Sequence, residues 1–363
     1  MTTYDLHGIL GVELVDARAT DAAVVDRQLG PLRGPLPDGP TIRIRFVDRL
    51  AHGPLRLTGV RESGHDGDRF VVLRSIHKVP ARAALPLLDT GQPLEIVAER
   101  GTPAIPLLIP LINLTALSTG VVPLHAAAFV HEGRGVLVTG WSKGGKTETL
   151  LAFLGHGASY LGDEWIYVRP DGTMSGIPEP IRLWNWHVEQ LDDVRLRLPA
   201  LDRLRLRAIG GAYAAARLGA RQLSAAGKAA RLLRAQRYVD AVPGTVAGGA
   251  MTVGPARIDV VVLVGSWTDA GVATRSLPVS EIVDRMVHSL AYERRELVAR
   301  TWEHRFGSPG RLPQALDSAS EQERLGLTAA LTRTRAVAMD HPYPVEIDAL
   351  YRALAPLIAE DPA

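Results

Sequence analysis

Residues Gly140 to Thr147 read Gly-Trp-Ser-Lys-Gly-Gly-Lys-Thr, a full match to the pattern G-x-x-x-x-G-K-[ST]. Such a loop belongs between a buried strand and the start of a helix, where backbone N–H groups and the positive end of a helix dipole converge on phosphate oxygens. The flanks supply both parts. Gly135 to Thr139 is a short apolar strand run, and Glu148 to Leu154 reads as a helix. Lysine usage sharpens the reading, because the chain holds only four lysines (Lys78, Lys143, Lys146 and Lys228) and two of them fall in this loop. A guanidinium fork is too bulky to replace the ammonium that reaches between β- and γ-phosphates. The pattern predicts a site for ATP and Mg²⁺ formed by Gly140, Ser142, Lys143, Gly144, Gly145, Lys146, Thr147 and Glu148.

Several function classes are excluded by what the chain lacks. There is no cysteine, so disulfides and thiolate metal centres are ruled out, and the eleven histidines include no H-E-x-x-H pair. The net charge of +2 is too small for a strongly basic nucleic-acid surface. Residues 101 to 124 carry no charge, but Pro103, Pro106, Pro110 and Pro123 interrupt them. This stretch predicts a short buried helix from about Leu107 to Leu117 and no membrane span. The N-terminus shows neither a basic n-region nor an apolar h-region, which with a nucleotide ligand leads us to expect a cytoplasmic protein.

At 363 residues there is room for two or three domains. Residues 1 to 100 read as a β-rich accessory region. Thr41 to Phe46 and part of Arg69 to Leu73 alternate with period two, and Gly-Pro, Asp-Gly and Gly-His-Asp-Gly turns separate the runs. Residues 101 to 363 form the loop-bearing region. There, Ala158 to Gly162 is a strand, Trp165 to Arg169 stays extended, and Ile258 to Val264 is an apolar strand. Helices are expected at about Val279 to Thr301, Ser320 to Arg335 and Val345 to Ala359. Residues 188 to 240 read as a helical insertion carrying Arg195, Arg197, Arg203, Arg205, Arg207, Arg217, Arg221, Lys228, Arg231, Arg234 and Arg237. The fold class that follows is α/β.

Asp163 and Glu164 follow Lys146 by one helix and one strand, so the strand that ends in them is expected beside the loop strand. Phosphoryl transfer needs a hard cation held by oxygen ligands and a carboxylate to accept the acceptor's hydroxyl proton. Thr147 and Glu164 suit the first task and Asp163 the second. An acidic pair ending a strand in solvent is the bland alternative, and the nearby loop tilts the balance towards function.

These residues together resemble the HPr serine kinase/phosphorylase family, relatives of the phosphoenolpyruvate carboxykinase nucleotide fold. The resemblance is carried by Leu124-His125-Ala126-Ala127, Leu137-Val138-Thr139-Gly140, Gly145-Lys146-Thr147-Glu148-Thr149 and Gly157 to Glu164, and it covers mainly residues 120 to 170. It implies that Asp163 deprotonates a serine hydroxyl, Lys146 binds phosphate, Thr147 and Glu164 hold Mg²⁺, and His125 lies near the acidic pair. Alone, His125 is a histidine on a small-residue strand, which core packing also explains. Two departures matter. The family's second acid is aspartate where this chain has Glu164, and the downstream E-I-R-G segment is absent, Glu179-Pro180-Ile181-Arg182 being a loose echo. The resemblance therefore implies serine phosphorylation of a protein or peptide and argues against the reverse phosphorolysis.

Other readings compete. Gly140-Trp141-Ser142-Lys143-Gly144 is also G-x-S-x-G, the nucleophile elbow of serine hydrolases, but no oxyanion segment precedes it. A catalytically quiet ATP-binding regulatory subunit would need the loop and not Asp163. The arginines of the insertion lack the aromatic interleaving of a base-stacking surface, so no nucleic-acid partner is expected. They suit either a solvated face or a groove for an acidic peptide. A small hydroxyl substrate and a homo-oligomer both stay open.

Overall fold

The computed structural model describes residues 2–30, 32–58, 62–67, 69–74, 80–86, 93–219, 224–252, 254–307 and 314–360. Lys78 and Arg221 lie outside the described residues. The alternation near the N-terminus becomes a half-buried strand, with Ile42, Ile44 and Phe46 in the core. Eight strands form this first sheet: β1 (Thr2–Asp5), β2 (Gly11–Val15), β3 (Ile42–Val47), β4 (Arg56–Thr58), β5 (Ser63–Asp66), β6 (Arg69–Arg74), β7 (Pro80–Leu85) and β8 (Leu94–Glu99). Their order is β1-β2-β3-β8-β7-β6-β5-β4.

Two local expectations need correction here. Helix α1 (Ala19–Leu29) escaped the β-rich reading, yet β2 and β3 are parallel and a parallel pair needs a crossover segment. The Gly-His-Asp-Gly stretch is mostly strand β5 rather than turn. A Cβ on Gly64 would lie 3.1 Å from the Arg56 carbonyl, so this glycine serves close strand packing. Helix α2 (Leu108–Ser118) falls in the uncharged stretch and packs Leu108, Leu111 and Ile112 against the first sheet. No helix among the described residues is long and apolar enough to cross a membrane.

The second sheet organises the rest. It contains β9 (Val122–His131), β10 (Arg134–Gly140), β11 (Ser159–Gly162), β12 (Trp165–Val168) and β13 (Thr173–Gly176). Helix α3 (Lys146–Leu154) joins β10 to β11. An excursion follows: β14 (Ile181–Trp184), α4 (Asn185–Gln190), α5 (Asp192–Arg197), α6 (Ala200–Gly219), α7 (Ser224–Ala235) and β15 (Tyr238–Ala241). Because β14 and β15 pair antiparallel, the arginine-rich helices leave and return through one two-stranded neck. After α8 (Pro243–Val246) the sheet resumes with β16 (Ala256–Arg257), β17 (Val260–Ser266) and β18 (Ala273–Ser276). Helices α9 (Val279–Glu293), α10 (Arg295–Gly307), α11 (Gln314–Asp317) and α12 (Ala319–Leu331) precede β19 (Arg335–His341) and α13 (Ile347–Ala359).

The order is β16-β13-β12-β9-β10-β17-β19-β18, with β11 also on β9. Strands β10, β17 and β19 are mutually parallel, so Gly140, Ser266 and His341 end at one rim. Alternate residues of β10 feed two cores. Val136 and Val138 join the cluster that includes Leu150, Leu154, Leu350 and Leu354 of α3 and α13. Leu137 joins Ile282, Met286 and Leu290 of α9 on the other side. Full burial of each such side chain contributes roughly 1.5–3 kcal/mol. The result is a mixed α/β sheet with helices on both faces.

Two helix expectations are overturned. The segment expected as one helix to Arg335 ends at Leu331, and Arg335–His341 is a central strand between β17 and β18. A strand buried on both faces reads as a short apolar run, which periodicity cannot separate from a helix. The helix expected from Val279 to Thr301 is two helices meeting at Arg294.

Candidate functional site

The Gly140–Thr147 loop sits at the rim where the parallel strands end. Its glycines are required by close approach. A Cβ on Gly140 would lie 2.4 Å from the Val264 carbonyl oxygen of β17. Gly145 has φ +109°, and a Cβ there would meet His341 Nε2 at 2.0 Å. That imidazole ends β19 and lies 3.0 Å from the Gly144 carbonyl, so the C-terminal strand props the loop from behind. Gly145→Ala should cost at least about 1–3 kcal/mol through left-handed strain, besides displacing His341. Calorimetry should show a lower melting temperature and nucleotide titration a weakened ligand; a variant equal to wild type on both would contradict this geometry.

Lys146 is 6% exposed, and its ammonium donates to the Trp141 carbonyl at 3.0 Å. Burial lowers its pKa, while Glu164, Asp163 and Glu293 nearby favour its charge. Thr147, one residue on, donates its hydroxyl to Asp163 Oδ2 at 3.0 Å. Asp163 is buried, and burial with Glu164 alongside pushes its carboxyl up to about 7.

The strand carrying Asp163 is not beside the loop strand. β9 stands between them, pairing with β10 on one edge and with β11 and β12 on the other. The reason is that β9 is ten residues long, enough to carry β11 and β12 end to end along one edge. Asp163 and Glu164 are the two residues between those strands; they follow a register shift between Tyr160 and Gly162, and Glu164 takes φ +73°. Such breaks in pairing re-aim side chains.

Within this arrangement His125 of β9 stands between two carboxylates. Its Nε2 is 2.9 Å from Glu164 Oε2 and its Nδ1 is 2.9 Å from Glu293 Oε1 at the end of α9. Burial opposes a charge on this ring, yet the hydrogen bonds to Glu164 and Glu293 raise its pKa. The hydrogen bond from His125 in turn lowers the pKa of Glu164 and of Glu293. Glu179 lies close enough to feel Glu164 and Asp163, and burial together with those charges pushes it up to about 8.

No protein-family model matches this chain, and no curated protein matches it in sequence. The site must speak through its own residues.

Of the residues singled out in the sequence, Lys146, Thr147, Asp163, Glu164 and His125 come together at the loop mouth. Thr147 is hydrogen-bonded to Asp163, however, and Glu164 to His125, so the assumed partnership of Thr147 with Glu164 is not a direct contact. Glu148 turns away and accepts a hydrogen bond from His187 Nε2 at 3.2 Å, which pulls its pKa down although burial opposes the charge. It fastens the insertion to α3 in addition to opening the helix. Ser142 is half-buried and Lys143 is exposed at the loop crest with φ +63°. Among the described residues no histidine is hydrogen-bonded to Ser142, which removes the support a nucleophile elbow would need.

Sequence reasoning missed Glu293, His341 and His187 as parts of this site. Each comes from an element far along the chain, and none has a local pattern. Only Glu179 left a trace, in its loose echo of a family segment.

Proposed function

We propose that this chain is an ATP-dependent kinase that transfers the γ-phosphoryl group to a hydroxyl, most simply a serine of a protein or peptide. We also propose that the second sheet carries a phosphate-loop core of the HPr-kinase type. The observation that supports this best is Asp163. It is a buried carboxyl with a pKa of about 7, within hydrogen-bond distance of the loop threonine. A binding module needs no such group, whereas a general base works best with a pKa near the operating pH.

In this reading the loop amides and the Lys146 ammonium hold the β- and γ-phosphates of ATP. Lys146 offsets the charge that builds on the transferred group. Asp163 accepts the proton of the attacking hydroxyl as that oxygen bonds to phosphorus and the bond to the β-γ bridging oxygen breaks, leaving ADP. His125, held from behind by Glu293, fixes Glu164 at the mouth. The donors Thr147 Oγ1 and Glu164 are hard oxygens that suit Mg²⁺. Among the described residues no group of three acidic, histidine or cysteine side chains forms a cage of its own. Thr147 and Glu164 would hold Mg²⁺, which when bound neutralises phosphate charge.

Glu164→Gln should raise the Mg²⁺ concentration needed for half-maximal turnover about tenfold, since a neutral amide is a poor ligand for a hard cation. An unchanged Mg²⁺ curve would remove Glu164 from that role. The reading as a whole is tested by incubating the protein with γ-labelled ATP, Mg²⁺ and a cell extract of its source. Label should appear on an acceptor with wild type and not with Lys146→Ala. ATP binding without any labelled acceptor would instead favour a regulatory subunit.

A further inference from the structure

The arginine-rich excursion is not a uniformly charged surface. Its helices enclose two adjoining cavities beside the loop helix. One, of about 350 Å³, is lined by Arg231, Arg234 and Arg237 with Trp184, Trp186 and Tyr343. The other, of about 410 Å³, is lined by Arg195, Arg203, Arg207 and again Arg237. Asn185 and Arg237 line both, so the two cavities share a wall.

These arginines have few counterions. Arg195 pairs with Asp192 at 2.7 Å, but among the described residues no carboxylate pairs with Arg203, Arg207, Arg231, Arg234 or Arg237. Arg237 Nε is buried with no hydrogen-bond partner. Unpaired guanidinium groups gathered in a concavity call for an anion, and their planar forks match carboxylates in a bidentate manner.

The position ties the cavities to the loop. Tyr343 lines the first cavity only two residues beyond His341, and its pKa is raised by burial and by Glu148 of α3. His187, next to Trp186, is hydrogen-bonded to that same Glu148. At the other end of the neck, Arg182 of β14 is near enough to Glu164 to help lower its pKa, after the larger effect of His125.

We propose that the paired cavities are the docking site for an acidic segment of a protein acceptor, an inference that rests on the phosphotransfer reading of the adjacent site. Carboxylates would enter the arginine forks while Leu201, Leu204 and Leu232, all exposed on the same helices, make apolar contact with the partner. A nucleic acid would leave those leucines uncovered. The aromatic rings also meet edge to face, Trp186 against Tyr343 and His187, and are not stacked as a row of faces.

The arginines of α6 divide into two groups. Arg203 and Arg207 line a cavity, whereas Arg205 and Arg217, like Arg207 exposed, line neither. This supplies a charge-matched control. Fluorescence anisotropy would follow binding of a fluorescein-labelled peptide with one serine flanked by eight glutamates, at low salt. Arg203→Glu with Arg207→Glu should weaken binding about tenfold or more, and Arg205→Glu with Arg217→Glu less than about twofold. Circular dichroism would check folding, and if the cavity pair misfolds, glutamine at the same two positions against glutamine at 205 and 217 gives the same comparison. Equal losses in both pairs would reveal diffuse attraction and overturn the proposal, as would no loss in either. Tighter binding of a single-stranded oligonucleotide of equal length would also overturn it. Because binding is measured without turnover, a peptide that binds site-specifically but is never phosphorylated counts against the kinase reading and leaves the docking site standing.

Discussion

Lys146→Ala should abolish nucleotide-dependent activity while leaving the protein folded. On the proposed reading the lost ammonium is the buried cation of the loop that meets phosphate oxygens, and a hydrogen bond to a charged group contributes about 1.5–3 kcal/mol. ATP affinity should therefore fall roughly 10- to 150-fold, at 1.36 kcal/mol per decade. Turnover should fall by about 10²–10³-fold, the usual effect of removing a preorganised donor at developing charge. The fold should survive because the side chain donates only to loop carbonyls, Trp141 and Gly140. Isothermal titration with ATP, beside a melting curve, decides it. Unchanged affinity and turnover would remove the phosphate-loop assignment.

Asp163→Asn should separate chemistry from binding. The amide retains the shape and can still accept the Thr147 hydroxyl bond, but it cannot take a proton, so turnover should drop about 10²–10⁴-fold. ATP should bind as well or better, since a carboxylate beside the γ-phosphate repels it. The wild-type pH profile follows from the same residue. Its carboxyl titrates at about 7, and only the deprotonated form is a base, so kcat/KM should rise with pH through that region and level above it. Glu179, close enough to feel Asp163 and Glu164, is pushed up to about 8, so the position of the limb alone does not assign it. The assignment comes from the variant, in which the rising limb should vanish. A limb that persists in Asp163→Asn would move the proton acceptor elsewhere.

How much of this could be read from sequence depends on the range of each signal. The loop, α3 and the burial pattern of β3 were legible because each is fixed by residues within a single element. Asp163 was legible through its spacing from the loop, and His125 only through the family resemblance. Glu293 was not. It reaches His125 across 168 positions, from the last turn of a helix whose own pattern concerns only packing. β19 was hidden for a different reason, since Ala336-Val337-Ala338-Met339 is apolar on both faces and carries no period. The place of β9 between the loop strand and the acids was also illegible, because strand order is decided by pairing and not by local composition. Most of the arginine segment's helical character was visible, but the side-chain sorting that puts Arg203 in a cavity and Arg205 outside depends on how α6 packs.

The break between β11 and β12 has a consequence for how this site can vary. In a regular strand two consecutive carboxylates point to opposite faces, and one of them would be wasted. Here the chain shifts register between Tyr160 and Gly162 and turns left-handed at Glu164, and the shorter acid meets Thr147 while the longer one meets His125. Identity and order are thereby separate inheritances. Either carboxylate can be exchanged for a chemical cousin without moving the other, whereas adding or removing one residue between Tyr160 and Trp165 changes the register that presents both acids. A lineage of such chains should therefore keep an acid at both positions and the count of residues along this edge of β9 unaltered.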